Sequence, residues 1–287
     1  MTSKYLIING DDFGFSASVN QAIIESHEQG ILTSTSLMVS GQACTEAVNL
    51  AKNHPDLGVG LHLVLVCGQS VLPYDKIPHL VDRDGNFLDD PVKAGLTYQF
   101  NRDARKELAL EIRAQLEKFQ ETGLPMSHLD GHLHLHAHPV VLGIIKDLAA
   151  EFDIKVLRLP FEELNFTLAI DRSHFWTKFV WFQVFGQLRR HGEGLFKNTE
   201  VIIPDKVYGL LATGRISEDY LLQLIPKIQT EIAEIYAHPD CSSLSNPSGP
   251  MELQTLLSHQ VRDRIQACGF ELINFHTLKN LRSTIKL

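Results

Sequence analysis

The sequence is poor in cysteine and lacks any long apolar run. Its four cysteines are far apart and form no C-x-x-C pair, which argues against a disulfide framework and is typical of a reducing compartment. No stretch approaches the roughly 18 consecutive apolar residues that a membrane span requires. The apolar run after Lys4 is interrupted by Asp11 and Asp12, which does not fit a secretory signal. These absences predict a soluble, cytoplasmic protein.

An excess of basic residues is also absent. The formal net charge is -8 and the pI is about 5.9, whereas nucleic-acid-binding domains normally carry a basic stripe, so nucleic acid is not an expected partner. Hydrophobic residues make up 44% and charged residues 21%, as in ordinary globular proteins. The 287 residues show no internal repeat and no low-complexity linker, and their number fits one domain of barrel size.

Apolar strand-like runs alternate with helical segments along the chain. These runs cover residues 5–9, 31–39, 57–66, 155–159, 232–237 and 270–275. Helical periodicity is clearest at 103–122 and 253–268, whereas scattered Pro, Gly and Asp predict an irregular excursion at 67–102. Apolar strands that alternate with helices indicate a parallel sheet covered by helices. We therefore predict one α/β domain over residues 1–287, an irregular (β/α) barrel, with an open doubly wound sheet as the alternative.

Histidine is concentrated in one stretch of the chain. Every even position from 128 to 138 is His or Asp, and the odd positions between them are Leu, Gly or Ala. In an extended strand the imidazoles would share one face, and neutral imidazole is a common metal ligand. Such a strand would span about 33 Å, against a metal–nitrogen distance of about 2 Å, so at most two neighbouring members can share an ion. The remaining ligands must come from elsewhere.

Further candidate ligands lie at the predicted carboxyl ends of strands. Asp11 and Asp12 follow the first strand, His62 ends the third, and His132 and His238 follow later ones. In a (β/α) barrel these ends meet on one face. Taken singly, the aspartates also fit a solvated turn, and His62 fits a hydrogen-bonded core residue. Together, one carboxylate and two histidines with open coordination positions are typical of a catalytic metal site.

Five motifs, in order along the chain, resemble those of the YdjC-like carbohydrate deacetylases. They are N-G-D-D-F-G at 9–14, G-I-L-T-S-T at 30–35, G-V-G-L-H-L at 58–63, H-L-D-G-H at 128–132 and Y-A-H-P at 236–239. The chain is most similar to the hopanoid-biosynthesis-associated members of the family, and V-L-R-L-P-F-E at 156–162 supports this. It departs from the family where Gly10 replaces the usual Ala and where Leu133 replaces a frequent His.

The resemblance implies an irregular (β/α) barrel that removes an N-acetyl group from an amino sugar, a hydrolase of carbon–nitrogen bonds other than peptide bonds. Carried over by position, Asp12, His62 and His132 would bind one divalent metal ion. Asp11 would be the general base for the attacking water, and His238 the general acid for the leaving amine, a role that suits its residue type. Zinc and magnesium are the first candidates for the ion, with manganese, cobalt and nickel as alternatives.

Other residues receive supporting roles. Arg158 is expected to orient Asp11 or to contact the substrate, with a salt bridge at the barrel rim as the alternative. His134, His136 and His138 are assigned to hydrogen bonding around the site.

Both tryptophans, Trp176 and Trp181, lie in an aromatic segment at 171–197. On a helix they would extend the side formed by Phe175, Phe179 and Phe182, and the cationic residues Arg189, Arg190 and Lys197 follow. The segment is either a core helix or a lid or interfacial helix whose tryptophans reach substrate at the inner membrane face. The second interpretation favours the N-acetylglucosaminyl headgroup of a hopanoid glycolipid, as the resemblance also does.

Three alternative functions stay open. The protein could deacetylate soluble N-acetylated oligosaccharides, or be another metal-dependent hydrolase such as a phosphoesterase, which usually needs a second metal. It could also be a non-enzymatic protein that binds carbohydrate or metal. A homo-oligomeric state is compatible with each of them.

Overall fold

The computed structural model describes residues 4–244 and 246–285, and within them seven strands form one parallel sheet. The strands are β1 (Lys4–Phe13), β2 (Ser34–Leu37), β3 (Gly58–Leu63), β4 (Leu129–Gly131), β5 (Lys206–Tyr208), β6 (Ile232–Ala237) and β7 (Phe270–Leu272). Their order is β4-β3-β2-β1-β6-β5, and β7 pairs with the first residues of β1. The long strand β1 is therefore the centre of the sheet.

Helices surround this sheet. Those of the described residues are α1 (Ala17–Glu28), α2 (Cys44–Asn53), α3 (Pro91–Phe100), α4 (Arg102–Glu121), α5 (Pro139–Leu148), α6 (Leu164–Ile170), α7 (Phe175–Phe196), α8 (Glu218–Leu224), α9 (Gly249–Leu257), α10 (His259–Ala267) and α11 (Phe275–Ile285). None of these helices combines the length and the apolar character that crossing a bilayer requires.

The segment between β4 and β5 brings the two edges of the sheet together. The Arg158 N–H donates to the Leu129 carbonyl over 3.0 Å, and the Leu157 N–H donates to the Ile202 carbonyl over 2.9 Å. The strand predicted at 155–159 is present here only as isolated bridges. The predicted irregular (β/α) barrel is confirmed as a parallel, barrel-like sheet with surrounding helices in a single domain.

Alternation along β1 divides its side chains between two apolar clusters. Leu6 and Ile8 belong to the large core beneath the helices, whereas Ile7 packs in a smaller cluster with Val156 and Phe275. Because successive side chains of a strand face opposite ways, the side chains two and four residues after Ile7 point to the same face as Ile7. Those residues are Asn9 and Asp11, so polar groups replace apolar ones on that face towards the carboxyl end of β1.

Two sequence-based predictions are wrong outside the histidine stretch. The excursion at 67–102 contains α3, whose first residue is Pro91 and whose N-terminus is capped by the Asp90 side chain. The single helix predicted at 253–268 is two helices, because Ser258 is extended and its side chain caps α10.

The histidine stretch is not one extended strand. Only Leu129–Gly131 is extended, and a 3-10 turn follows at His132–Ala137. Leu133 and His134 have positive φ angles of 48° and 56°, which ends the alternation of faces after Gly131. The histidines of this stretch therefore point to several different parts of the molecule.

Candidate active site

The two consecutive aspartates at the end of β1, Asp11 and Asp12, lie in different surroundings. Asp11 is buried among other charged side chains on the face of β1 that also carries Ile7 and Asn9. Asp12 has a positive φ of 66°, and its carbonyl accepts a hydrogen bond from the Phe15 N–H in the turn that follows. This turn directs the Asp12 carboxylate away from Asp11 and towards two histidines.

Asp12, His62 and His132 converge from three different strands. The Asp12 Oδ1 lies 3.2 Å from the Nε2 of His62 at the end of β3 and 2.9 Å from the Nδ1 of His132 just after β4. Each residue offers a ligand atom, and these atoms all lie within 4.8 Å of one another. The side chains predicted to bind metal are therefore adjacent in the structure.

The electrostatics of this triad favour a positive charge between its members. Burial alone would raise the pKa of Asp12, but the charges and hydrogen bonds of His132 and His62 hold it well below its usual value. Burial would lower the pKa of His62, but Asp130 and Asp12 raise it to about 10. One carboxylate and two imidazoles in such a place form a donor set that fits a divalent metal ion.

Asp130 is a hydrogen-bond partner of His62 and orients its imidazole. Its Oδ1 lies 2.8 Å from the His62 Nδ1, which can donate to it, and this leaves the His62 Nε2 to face Asp12. The Ser36 hydroxyl donates to the Asp130 Oδ2 over 2.7 Å. The sequence pattern marked Asp130 as part of the histidine stretch but gave it no role of its own.

Asp11 is held by Arg158 through a two-point ion pair. The Arg158 Nη1 lies 2.7 Å from the Asp11 Oδ2, and its Nη2 donates to the Asp11 Oδ1 over 2.9 Å. The same guanidinium pairs with Asp130 and with Glu234 of β6. We call Asp11, Asp130, Arg158 and Glu234 the buried polar cluster.

The burial of Arg158 bears on its predicted roles. Its side chain has no exposed surface and its guanidinium contacts Asp11, which favours the role of orienting Asp11 over a contact with substrate. Glu234, which the sequence reasoning missed, is fully buried. Its signal was present, since it is the one charged residue within the apolar run at 232–237.

Asp11, His62 and Asp130 form a second group whose donor atoms converge. Both carboxylates of this group already bind the Arg158 guanidinium. The Arg158 guanidinium already balances the charge of both carboxylates, so we assign no metal to this group.

His238 and Asp11 both line a cavity of about 330 Å³. Its Nε2 is 4.0 Å from the Asp11 Oδ2, and its backbone N–H donates to Glu252 over 2.6 Å. The cavity is also lined by the candidate ligands Asp12 and His132. The predicted base, the predicted acid and two of the three candidate ligands thus line one cavity, and the third ligand, His62, contacts Asp12.

The cavity has further walls that the sequence did not indicate. They include Phe15, Cys67, Thr213 and Gly214. A second cavity of about 470 Å³ shares Phe15 and Cys67 with the first and is lined by both polar and apolar residues. Neither Trp176 nor Trp181 is among the described residues that line either cavity.

The other histidines of the stretch form hydrogen bonds, as predicted. The His134 Nε2 lies 2.8 Å from the Tyr236 hydroxyl, and the His136 Nε2 lies 2.9 Å from the Arg158 carbonyl. His138 caps α5 by accepting from the Val140 N–H. His136 therefore supports the backbone of the residue that orients Asp11.

The sequence as a whole matches one known family, because a profile of the YdjC-like proteins covers residues 5–267. The chain belongs to the YdjC-like protein family. This YdjC-like protein is 33% identical over 281 residues to a carbohydrate deacetylase of Clostridium beijerinckii, covering 94% of this chain and 98% of that protein. The resemblance that the motifs indicated is confirmed at the level of the family.

Other relatives match shorter parts of the chain. A carbohydrate deacetylase of Brevibacillus brevis is 44% identical over 151 residues, which cover 53% of this chain and 58% of that protein. A carbohydrate deacetylase of Geobacillus stearothermophilus is 36% identical over 205 residues, which cover 71% of this chain and 74% of that protein.

A solved structure shares the fold of this YdjC-like protein. It comes from Enterococcus faecalis and is described as a candidate cellobiose-phosphate cleavage protein. The two chains superpose with a TM-score of 0.75 at 26% identity, over 96% of this chain and 99% of that one.

Proposed function

We propose that this protein is a metal-dependent N-deacetylase of an amino sugar. The observation that supports it most is that Asp12 and His132, which converge with His62, line one cavity together with Asp11 and His238. Relatives named as carbohydrate deacetylases agree with the expectation of a hydrolase of non-peptide carbon–nitrogen bonds.

In this proposal Asp11 is the general base. Arg158 holds the Asp11 carboxylate by both oxygens and so fixes its direction towards the cavity. From there Asp11 takes a proton from the attacking water. A divalent ion bound by Asp12, His62 and His132 would supply Lewis acidity, polarising the acetamido carbonyl.

His238 is the general acid. An amide breaks down to its amine only if the leaving nitrogen receives a proton, and a histidine can deliver one near neutral pH. Its Nε2 lies 4.0 Å from the Asp11 Oδ2, so the acid and the base lie close together in the lining of the same cavity. Zinc and magnesium are the first candidates for the ion, and manganese, cobalt or nickel are the alternatives.

Acetate release from N-acetylglucosamine oligomers, in protein loaded with each of these metals, tests the proposal. Asp11→Asn should lower turnover about 10²- to 10⁴-fold, the usual contribution of a general base. The matched control is Asp103→Asn, an exposed carboxylate on α4, which should leave turnover unchanged. Absence of acetate with every metal, or equal turnover in Asp11→Asn, would contradict the proposal.

We further propose that the acetylated sugar is the headgroup of a hopanoid glycolipid. The support lies in the exposed apolar side of α7, which we call the aromatic face. It consists of Phe175, Trp176, Phe179, Val180, Trp181 and Val184. Contiguous exposed apolar surface marks an interaction site, and aromatic side chains suit the boundary between lipid and water.

The cations beside the aromatic face are fewer than the sequence suggested. Arg189 is buried and donates to the carbonyls of Leu159 and Pro204, so it is not available to a lipid headgroup. Arg190 and Lys197 are exposed. The prediction of flanking cations therefore applies to these two residues.

Co-sedimentation with vesicles of phosphatidylglycerol and phosphatidylcholine tests the membrane contact. Trp176→Ala combined with Trp181→Ala should weaken vesicle binding at least about 10-fold, because both rings lose their place in the lipid interface. Phe100→Ala is the control, since Phe100 is as exposed as Trp176 but lies on α3. Unchanged binding of the double variant would exclude this part of the proposal.

The second cavity favours the alternative of a soluble oligosaccharide. Its lining includes the side chains of Gln42, Gln69 and Asn86, groups that can bind sugar hydroxyls. Comparison of kcat/KM for a soluble N-acetylglucosamine trimer and for an N-acetylglucosaminyl glycolipid in vesicles separates the two substrates. A higher value for the trimer would replace the hopanoid proposal with this one.

A further inference from the structure

Glu252 is a fully buried carboxylate whose two oxygens hold two different segments of the chain. Its Oε2 accepts the His238 backbone N–H over 2.6 Å, and its Oε1 accepts the Ile216 N–H over 3.3 Å. Glu252 itself lies on α9, and its exposed surface is zero. A buried carboxylate is costly unless it is hydrogen-bonded, so both contacts contribute to keeping it in place.

Each of the two segments contributes residues to the lining of the candidate active site. His238 follows β6, whereas Ile216 ends the loop at 209–216, which contributes Thr213 and Gly214 to the cavity. One side chain therefore accepts hydrogen bonds from the segment that carries the acid and from the segment that carries this wall. The sequence pattern could not indicate these two hydrogen bonds, because His238, Ile216 and Glu252 belong to three elements that are far apart along the chain.

Other contacts complete the support of His238. The Asn246 side chain donates to the His238 carbonyl over 2.8 Å. The imidazole lies edge-on to the Tyr236 ring, and its Nδ1 is 3.9 Å from the Glu252 Oε2. At the start of α9, a Cβ on Gly249 would meet the Asp240 Cβ at 2.4 Å, so α9 packs directly against the loop that follows His238.

We propose that Glu252 is the positioning residue for His238 and for the Thr213–Gly214 wall. This inference rests on the proposed function, in which His238 protonates the leaving amine. Proton transfer needs the donor within hydrogen-bonding reach of the leaving nitrogen. Displacement of His238 by a loosened backbone therefore slows amide cleavage without removing a group that touches substrate.

Glu252→Gln is the informative variant. Both Glu252 oxygens face backbone N–H groups, but a glutamine offers only one oxygen and turns an NH₂ group towards the other donor. One of the two segments must therefore move. Glu252→Asp, which keeps both oxygens but withdraws them by one methylene, is the second variant should the glutamine protein fail to fold.

The test compares an amide with an ester that has a good leaving group. An N-acetylglucosamine oligomer needs the acid, whereas p-nitrophenyl acetate does not, because p-nitrophenolate leaves without a proton. We expect Glu252→Gln to lower kcat for the amide by about 10²-fold, the loss typical of a small misplacement, with ester cleavage and bound metal unchanged. Equal losses on both substrates, or no loss on either, would overturn the inference.

Glu162→Gln is the matched control. Glu162 is also buried, and it accepts the N–H groups of Gly209 and Leu211 at the other end of the same loop, but it does not contact His238. Its Oε2 accepts from the Thr167 hydroxyl, an interaction that a glutamine NH₂ can replace by donating to that hydroxyl. The ratio of amide to ester turnover should therefore be the wild-type ratio.

A crystal structure of Glu252→Gln separates this inference from the proposed function. If the wild type releases no acetate, the proposed function fails, yet the position of His238 is still measurable. We expect the separation of 4.0 Å between the His238 Nε2 and the Asp11 Oδ2 to change in the variant. An unchanged separation would show that Glu252 does not position His238.

Discussion

At the carboxyl end of the sheet, the buried polar cluster keeps four charged side chains away from water, whereas the aromatic face of α7 turns six apolar side chains towards it. The first region buries charged side chains and the second exposes apolar side chains, which is the reverse of the usual distribution. The cluster tolerates its charges because Arg158 pairs with three carboxylates. No comparable contact covers the aromatic face among the described residues. The charges of the first region are therefore balanced within the fold, whereas the second presents apolar side chains to water, as interaction surfaces do.

The comparison also separates two kinds of functional surface. Groups with perturbed pKa values in a cleft are typical of catalytic sites, and here Asp12, whose pKa is lowered, lines the cavity, and His62, whose pKa is raised, contacts Asp12. Exposed apolar side chains carry no chemistry of their own but can bring a substrate to that cavity. The contact between Phe185 of α7 and His134 connects the helix to the turn that carries His132.

Replacement of Arg158, the cation of the buried polar cluster, should have the largest effect on the free energy of unfolding. Arg158→Met leaves Asp11, Asp130 and Glu234 buried without their shared partner, so we expect the free energy of unfolding to fall by about 3–5 kcal/mol. Urea denaturation measures the change. Arg190→Met, at an exposed arginine of α7, is the control and should stay within about 0.5 kcal/mol. Equal stabilities of the two variants would mean that the cluster is not held by Arg158.

Glu162 is a buried carboxylate that does not pair with Arg158, and it should make the free energy of unfolding depend on pH. Burial raises the pKa of Glu162 from 4.5 to about 7, so the folded protein holds this proton more tightly than the unfolded chain does. The resulting stability is fully present below pH 4.5 and is lost as pH rises through 7, by an amount on the order of 3 kcal/mol.

Glu162→Gln should remove this part of the pH dependence. Denaturation of the wild type and of Glu162→Gln at several pH values between 4.5 and 7 gives the difference directly, because the other titrating groups are common to both proteins. Parallel stability curves in this range would show that Glu162 ionises alike in the folded and unfolded states.

The smallest effect on stability is expected at the aromatic face. Trp176 is 75% exposed, so Trp176→Ala should change the free energy of unfolding by no more than about 0.5 kcal/mol. Phe185 lies on the same helix but is buried, and Phe185→Ala should cost about 3–5 kcal/mol. If urea denaturation gave similar losses for both, Trp176 would be part of the core and the interfacial role of α7 would fail.

The sequence predicted the elements whose signals are local. The apolar run at 232–237 is a strand, and the periodic segment at 103–122 is helical with boundaries within a residue of those predicted. Strand–helix alternation also predicted the barrel-like class. These features follow from hydrophobic period and helix-capping residues, which act over a few positions.

The geometry around the site depended on information that the local pattern does not contain. Regular alternation in the histidine stretch would place its imidazoles on one face of an extended strand, but Leu133 and His134 take positive φ angles that few non-glycine residues adopt. The ligand set came from the family resemblance, not from periodicity. Arg158 and Glu252 act through partners more than ten residues away, so burial and topology had to be known before their roles could be assigned.

Acetate release as a function of metal bound per chain tests the central claim most directly. Metal-free protein is titrated with zinc or magnesium, and bound metal and acetate released from an N-acetylglucosamine oligomer are measured on the same samples. The proposed function predicts turnover that rises in proportion to bound metal and saturates at about one ion per chain, the capacity of a single three-ligand site, and that is absent in His132→Ala. Turnover that needs a second ion, or that is the same without metal, would contradict it.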